Sequence, residues 1–272
     1  MQFNLKMRKR RLRLTFVSLA AVTAVAIPSA GATAGASSHP NVTIVLEHGA
    51  WADGSSWDGV VTRLQNDGYT VDVPPNPLRG PNVDSAYLAS YLKTVSGPIV
   101  LVGHSYGGFV ITDAATGNSN VKALVYVDAY IPAQGDTINS INKQFLGSQL
   151  VPSALSFVPS AGGVVDVYIK PDQFRAILAN DLSAKQASEL AATQRPIAAS
   201  ALTEPAGPPA WTSIPSWDVI GTQDHAISVA AQLFMAKRAH ATVTEIDASH
   251  LSMISQPGKV TAVIEAAVQK VN

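Results

Sequence analysis

Cysteine is absent from the 272-residue chain. That excludes disulfide-stapled scaffolds, thiolate nucleophiles and every metal site that depends on cysteine ligands. Charge is also sparse, at 14% of residues beside 47% hydrophobic ones. This balance excludes wholesale disorder and a long coiled coil, and the length suits one large α/β domain or two small ones. Acidic residues are missing from the whole N-terminal stretch, the first being Glu47, while six of the 19 basic residues (Lys6, Arg8, Lys9, Arg10, Arg11, Arg13) stand within the first 13 positions. A membrane-spanning apolar run is lacking too. The segment Leu14 to Ile27 would extend about 21 Å as a helix, short of the roughly 30 Å hydrocarbon core.

What that N-terminal segment does have is a basic start, a short apolar centre and the small-residue tract Ser29 to Ala36, with overlapping cleavage sites ending at Ala32, Ala34 or Ala36. Those are the parts of a secretory signal peptide, assigned to residues 1–36, with the mature domain at 37–272. The expectation is export, to the periplasm or outside the cell. Without the leader, 13 basic residues face 19 acidic ones, a net charge of −6. A mildly acidic surface argues against nucleic acid as a partner, and the short apolar leader argues against a stable membrane partner.

From residue 41 onward, β-branched runs alternate with helical spacing. Strands are expected at 42–46, 69–73, 99–102 and 121–127, then at 216–220 and 242–246. Between them Trp57, Val60, Val61 and Leu64 recur at helical intervals, as do Leu88, Tyr91, Leu92 and Val95 behind Asn82 as an N-cap. Further helices are expected at 109–115 and 229–238, and a last one opens at Pro257. Strands alternating with helices imply crossover connections and a mostly parallel sheet flanked by helices, an α/β class. The stretch from about 131 to 210 breaks that rhythm and is far too long for a loop, which usually takes about 4–6 residues. It is read as a helical lid inserted into the domain, with helices at 172–179 and 183–193.

Gly103-His104-Ser105-Tyr106-Gly107 follows the apolar strand 99–102 and precedes an apolar helix. A serine on such a strand-to-helix turn is a nucleophile elbow: the turn is so sharp that side chains two residues on either side would collide, and it sets helical N–H groups beside the serine oxygen. Serine needs a base, and the base needs a carboxylate to fix its tautomer. Of the three histidines after Ser105, His250 lies in a loop between the last strand and last helix. His240 sits at a helix end, and His225 directly follows an acid candidate. His250 is therefore the expected base. Two carboxylates stand at strand ends, Asp224 and Asp128, and either could orient it. Oxyanion donors are expected from the backbone N–H groups of Tyr106 and of Ala50, in the turn after the first strand. His48 and His104 read as packing or hydrogen-bonding residues. No metal motif and no cofactor are indicated.

The segments His48-Gly49-Ala50-Trp51-Ala52-Asp53-Gly54-Ser55-Ser56-Trp57, Gly103 to Gly108 and Ser249-His250-Leu251-Ser252-Met253 resemble the α/β-hydrolase superfamily. The resemblance is to its branch of small bacterial esterases, pyrethroid-hydrolase-like and related to plant methylesterases and hydroxynitrile lyases. It runs through Gln194-Arg195-Pro196-Ile197-Ala198 and Leu202-Thr203-Glu204-Pro205 to the final helix, and so over nearly all of the mature chain. It implies Ser105 as nucleophile, His250 as base and Asp224 as the acid, with Ala50 and Tyr106 as oxyanion donors. The implied function is hydrolysis of small or medium, mostly uncharged carboxylic esters. Amide hydrolysis, lyase chemistry or ligand binding with little turnover are the alternatives. The chain departs from the pattern at Leu251, where the lyases carry lysine, and at Asp128, where many relatives have a small apolar residue. The leader is an addition to a family with many cytosolic members.

Overall fold

A computed structural model describes residues 42–271, so the expected leader at 1–36 lies outside the described residues. In chain order the elements are β1 (Thr43–Glu47), α1 (Asp58–Asn66), β2 (Thr70–Asp72), α2 (Pro81–Leu92), β3 (Ile99–His104), α3 (Gly107–Ala114) and β4 (Val121–Val127). Then come α4 (Ile138–Gln144), β5 (Leu155–Pro159), β6 (Val165–Ile169), α5 (Pro171–Leu178), α6 (Ala184–Thr193) and β7 (Ile197–Ala198). The chain closes with β8 (Ser216–Gly221), α7 (Val229–Arg238), β9 (Thr242–Ile246), α8 (Ser252–Ser255) and α9 (Pro257–Val271).

Six strands form the central sheet in the order β2-β1-β3-β4-β8-β9, every neighbouring pair parallel. Every residue of β1, β3 and β8 is buried, as a sheet covered on both faces requires. The edge strands β2 and β9 keep exposed positions instead. Helix α9 packs with α1 and along β3, β4 and β8, while α3 packs with α2 and against β1, β3 and β4. All six expected strands of this sheet form, shifted by a residue or so at their ends.

The insertion between β4 and β8 carries the two expected helices, with Ser183 capping α6 through a reciprocal bond pair with Gln186. It also holds a three-stranded antiparallel sheet, β5-β6-β7, which the helical expectation lacked. A second correction concerns α2. It begins at Pro81, after Gly80, and Asn82 lies inside it. The carboxylate of Asp84 reaches back to accept from the Arg79 and Gly80 N–H groups, so this end is closed from within the helix.

Candidate active site

Ser105 stands between β3 and α3 with φ at +52°, in the left-handed region that costs an L-residue free energy. The reason glycine flanks it is steric. A Cβ on Gly107 would lie 2.7 Å from the Glu47 carbonyl oxygen, and one on Gly103 would lie 2.8 Å from that of Gly107. The serine backbone is fixed on both sides, its N–H donating to Val127 at 3.2 Å and its carbonyl accepting from Gly108 and Tyr130.

The turn aims the hydroxyl at His250. Ser105 Oγ lies 2.8 Å from His250 Nε2, and His250 Nδ1 lies 2.8 Å from Asp224 Oδ2. All three residues are buried. A carboxylate facing Nδ1 places the imidazole proton there and leaves Nε2 as the acceptor for the serine hydroxyl. Asp224 is itself immobilised. Oδ1 accepts from the Ala226 and Ile227 N–H groups, and Oδ2 accepts from Gln232 Nε2 at 2.8 Å. The histidine loop is pinned as well. His104 donates from Nε2 to the His250 carbonyl at 2.9 Å, Leu251 N–H donates to Leu178, and Ser249 binds Asp181 through both its N–H and its hydroxyl.

Beside Ser105, the Ala50 and Tyr106 amides have no acceptor among the described residues, and both residues line the same cavity as the serine. Tyr106 is anchored by its phenol, which donates to Asp84 at 2.7 Å. The Ala50 loop is tied to the insertion. Trp51 N–H donates to Arg195, and its indole N–H donates to the Val167 carbonyl at 2.9 Å. The cavity measures about 260 Å³. Leu150, Leu155, Phe157, Ile197 and Leu202 of the insertion give it apolar walls, and none of the described residues that line it is charged.

A model described as the alpha/beta hydrolase family matches residues 44–263. The chain belongs to the alpha/beta hydrolase family. It is 34% identical over 113 residues to a carbendazim-hydrolyzing esterase of Nocardioides sp., a match that takes in 36% of this chain and spans only 46% of that protein. It is 26% identical over 246 residues to a pyrethroid hydrolase of Sphingobium wenxiniae, covering 81% of this chain and 85% of the relative. Among solved structures, an extracellular alpha/beta-hydrolase from a Paenibacillus species superposes with a TM-score of 0.68 at 22% identity, over 83% of this chain and 98% of the other. At that identity the last likeness shows the fold.

Within this alpha/beta hydrolase, the five residues expected from sequence converge on one cavity wall or stand directly behind it. Asp128 does not take the acid position. It is fully buried, and its carboxylate accepts from the Gly221 N–H at 2.7 Å and the Ser252 N–H at 3.3 Å, so it joins the end of β8 to the start of α8. Burial and then the nearby Asp224 charge push its carboxyl up to about 7. His250 feels opposing effects. Burial alone would lower it, but the Asp224 charge and hydrogen bond, with Asp128 adding, hold it above the ordinary histidine value. Burial pushes His48 down to about 4. Its Nδ1 donates to the Gly49 carbonyl and its Nε2 accepts from the Asn76 N–H, a structural role consistent with the packing expectation. His225 points away from the site, with Nδ1 on the Ala176 carbonyl.

Three supports were not foreseen: Asp84 beneath Tyr106, Gln232 on Asp224, and Asp181 under Ser249. Asp84 had a visible signal, an acidic residue in the first turn of a helix beginning with proline. Asp181 joins segments far apart in sequence, and Gln232 reaches Asp224 from the next helix, α7; no sequence motif marks either. Among the described residues no group of three His, Asp or Glu side chains could hold a metal ion, and no helix is long and apolar enough to cross a membrane.

Proposed function

We propose that the protein is a serine carboxylesterase acting on small or medium, mostly uncharged esters. The observation that carries this reading is the continuous line from Ser105 through His250 to Asp224, set at the floor of an uncharged, largely apolar cavity. Ser105 Oγ attacks the ester carbonyl while His250 Nε2 takes its proton, forming a tetrahedral intermediate. The Ala50 and Tyr106 N–H groups receive the oxyanion. His250 then returns the proton to the leaving alkoxide, the C–O bond breaks, and an acyl-serine remains. Water, deprotonated by the same nitrogen, attacks that ester and frees the acid. Asp224 stays ionised and steadies the imidazolium in both halves.

Relatives described as a carbendazim-hydrolyzing esterase and a pyrethroid hydrolase support ester cleavage. Leu251, buried beside the base where hydroxynitrile lyases carry lysine, speaks against cyanohydrin cleavage. The leader supports export, which fractionation of cells carrying the full chain tests directly: a product shortened by about 36 residues and found outside the cytoplasm is expected. For the chemistry, the test is hydrolysis of p-nitrophenyl acetate, butyrate and octanoate by the mature chain beside Ser105→Ala. Turnover that vanishes with the hydroxyl upholds the reading. Equal activity in both overturns Ser105 as the nucleophile, and two inert proteins would return the cavity to a binding role.

A further inference from the structure

The cavity has one polar corner, and no step of the ester chemistry uses it. Asn139 and Asn142 are three residues apart on α4, so they share a helix face, and both line the cavity. Tyr130 lines it too and holds the second of these in place, its phenol lying 3.1 Å from Asn142 Oδ1. Burial pushes that phenol up, well clear of neutral pH, so the hydroxyl keeps its proton and donates it to the amide oxygen. A carboxamide has one oxygen and two N–H donors. With the oxygen turned toward Tyr130, the NH₂ of Asn142 is left without a partner among the described residues.

The corner is held in fixed relation to the nucleophile. Tyr130 N–H donates to the Ser105 carbonyl at 3.2 Å, and its ring packs on Phe109 of α3 with centroids 5.4 Å apart. Tyr130 is buried at 2% exposure. Helix α4 is closed at its start by a reciprocal pair between Thr137 and Ser140, and Phe145 just beyond its end packs on Phe234 of α7. A donor held this firmly in a largely apolar cavity loses free energy whenever a hydrocarbon chain covers it, because its lost water is not replaced.

We infer that Asn142, oriented by Tyr130, is a specificity-determining residue that accepts an uncharged ester bearing a hydrogen-bond acceptor, such as a carbonyl or ether oxygen, away from the scissile bond. The inference rests on the esterase reading for its kinetic form, and it has a binding form that does not. A cavity of this kind discriminates strongly against an analogue lacking the polar atom, more strongly than an apolar wall discriminates by size.

The test uses matched esters in which one methylene is replaced by a carbonyl: heptanoates against 4-, 5- and 6-oxoheptanoates, and butyrates of heptanol against those of the corresponding oxo-alcohols. Hydrolysis is followed by acid release. For the mature wild-type chain, at least one oxo ester should exceed its alkyl parent about tenfold in kcat/KM. Asn142→Leu should bring that ratio close to one, and Tyr130→Phe should bring it to an intermediate value. A ratio is independent of the fraction of each variant that folds. Ratios near one for every pair in the wild type, or a preference that survives Asn142→Leu, overturn the inference while leaving the esterase reading intact. If no ester is cleaved, that reading fails, and calorimetric binding to Ser105→Ala decides. An oxo ester bound about tenfold tighter than its parent, with the difference lost in Ser105→Ala/Asn142→Leu, upholds the polar corner, and equal binding removes it.

Discussion

The floor of the site and its roof are built on different physics. The floor is the C-terminal edge of a parallel sheet, where Ser105, Asp224 and His250 each hang from a separate connection and each is held by several hydrogen bonds from buried partners. The roof, between β4 and β8, is half-exposed, with a small antiparallel sheet and large apolar side chains such as Phe157 and Leu146 open to solvent. Little at the floor can move without leaving a buried polar group unpaired, a cost of about 1–3 kcal/mol per group. At the roof, the exposed apolar side chains can change with only local consequence, whereas Asp181 reaches down to hold Ser249 of the histidine loop. Under the proposed function, the contrast assigns reaction type to the sheet edge and substrate choice to the insertion, as expected when function is grafted on a shared fold.

The sharpest way to test that division is at the nucleophile. Ser105→Ala should lower kcat/KM for p-nitrophenyl butyrate by about 10⁴–10⁶-fold, with the thermal midpoint close to that of the wild type. Next comes Asp224→Asn, expected to cost about 10⁴-fold in kcat, because the amide no longer selects the imidazole tautomer that leaves Nε2 free. Gly107→Ala strikes the floor sterically. Its new Cβ would stand 2.7 Å from the Glu47 oxygen. A loss of about 1–3 kcal/mol in urea unfolding is expected, and a stable, fully active variant would show that the elbow can relax.

Asp128→Asn bears on the same floor more gently. In the proposed mechanism the base works as neutral imidazole, so activity should fall as pH drops through the His250 pKa, which stands above the ordinary histidine value. Asp128 contributes to raising it. Removing that negative charge lowers the pKa, so the acid limb of the kcat/KM profile should move to lower pH, with a loss of about tenfold or less at the plateau. The smallest effect belongs to the roof. Phe157→Ala should shift the preference between butyrate and octanoate by a few-fold toward the longer chain. A roof variant that abolished turnover of every ester would end the division between floor and roof.

Sequence reading reached the floor because local patterns specify it. A strand, a glycine-flanked serine and an apolar helix are contiguous in 99–115, and the histidine and acid loops follow strands whose β-branched runs stand out. The acid stayed open between Asp224 and Asp128 because both end strands; only their three-dimensional partners separate them. The roof was legible in α5 and α6, the latter opened by the Ser183–Gln186 cap, but not in the short helix α4. Its sheet was not. In β5 the sequence Leu-Ser-Phe-Val-Pro ends on a proline and is mostly exposed, and β7 has two residues. Those strands exist because they pair with β6, and neither a mostly exposed segment nor one of two residues leaves a periodic trace. The start of α2 was misplaced for a related reason: its cap comes from Asp84 inside the helix, not from the residue ahead of it.

The two bonds from Trp51 to Arg195 and Val167 carry one more consequence. They bind the loop carrying Ala50 to the insertion above it, and Arg79, paired with Asp166 at 2.7 Å, adds a second tether nearby. A roof that swung away as a rigid flap would pull the Ala50 amide out of the site. Entry and catalysis would then exclude each other, and each turnover would have to rebuild the site it had dismantled. While these bonds hold, the loop carrying Ala50 and the roof above it stay one piece.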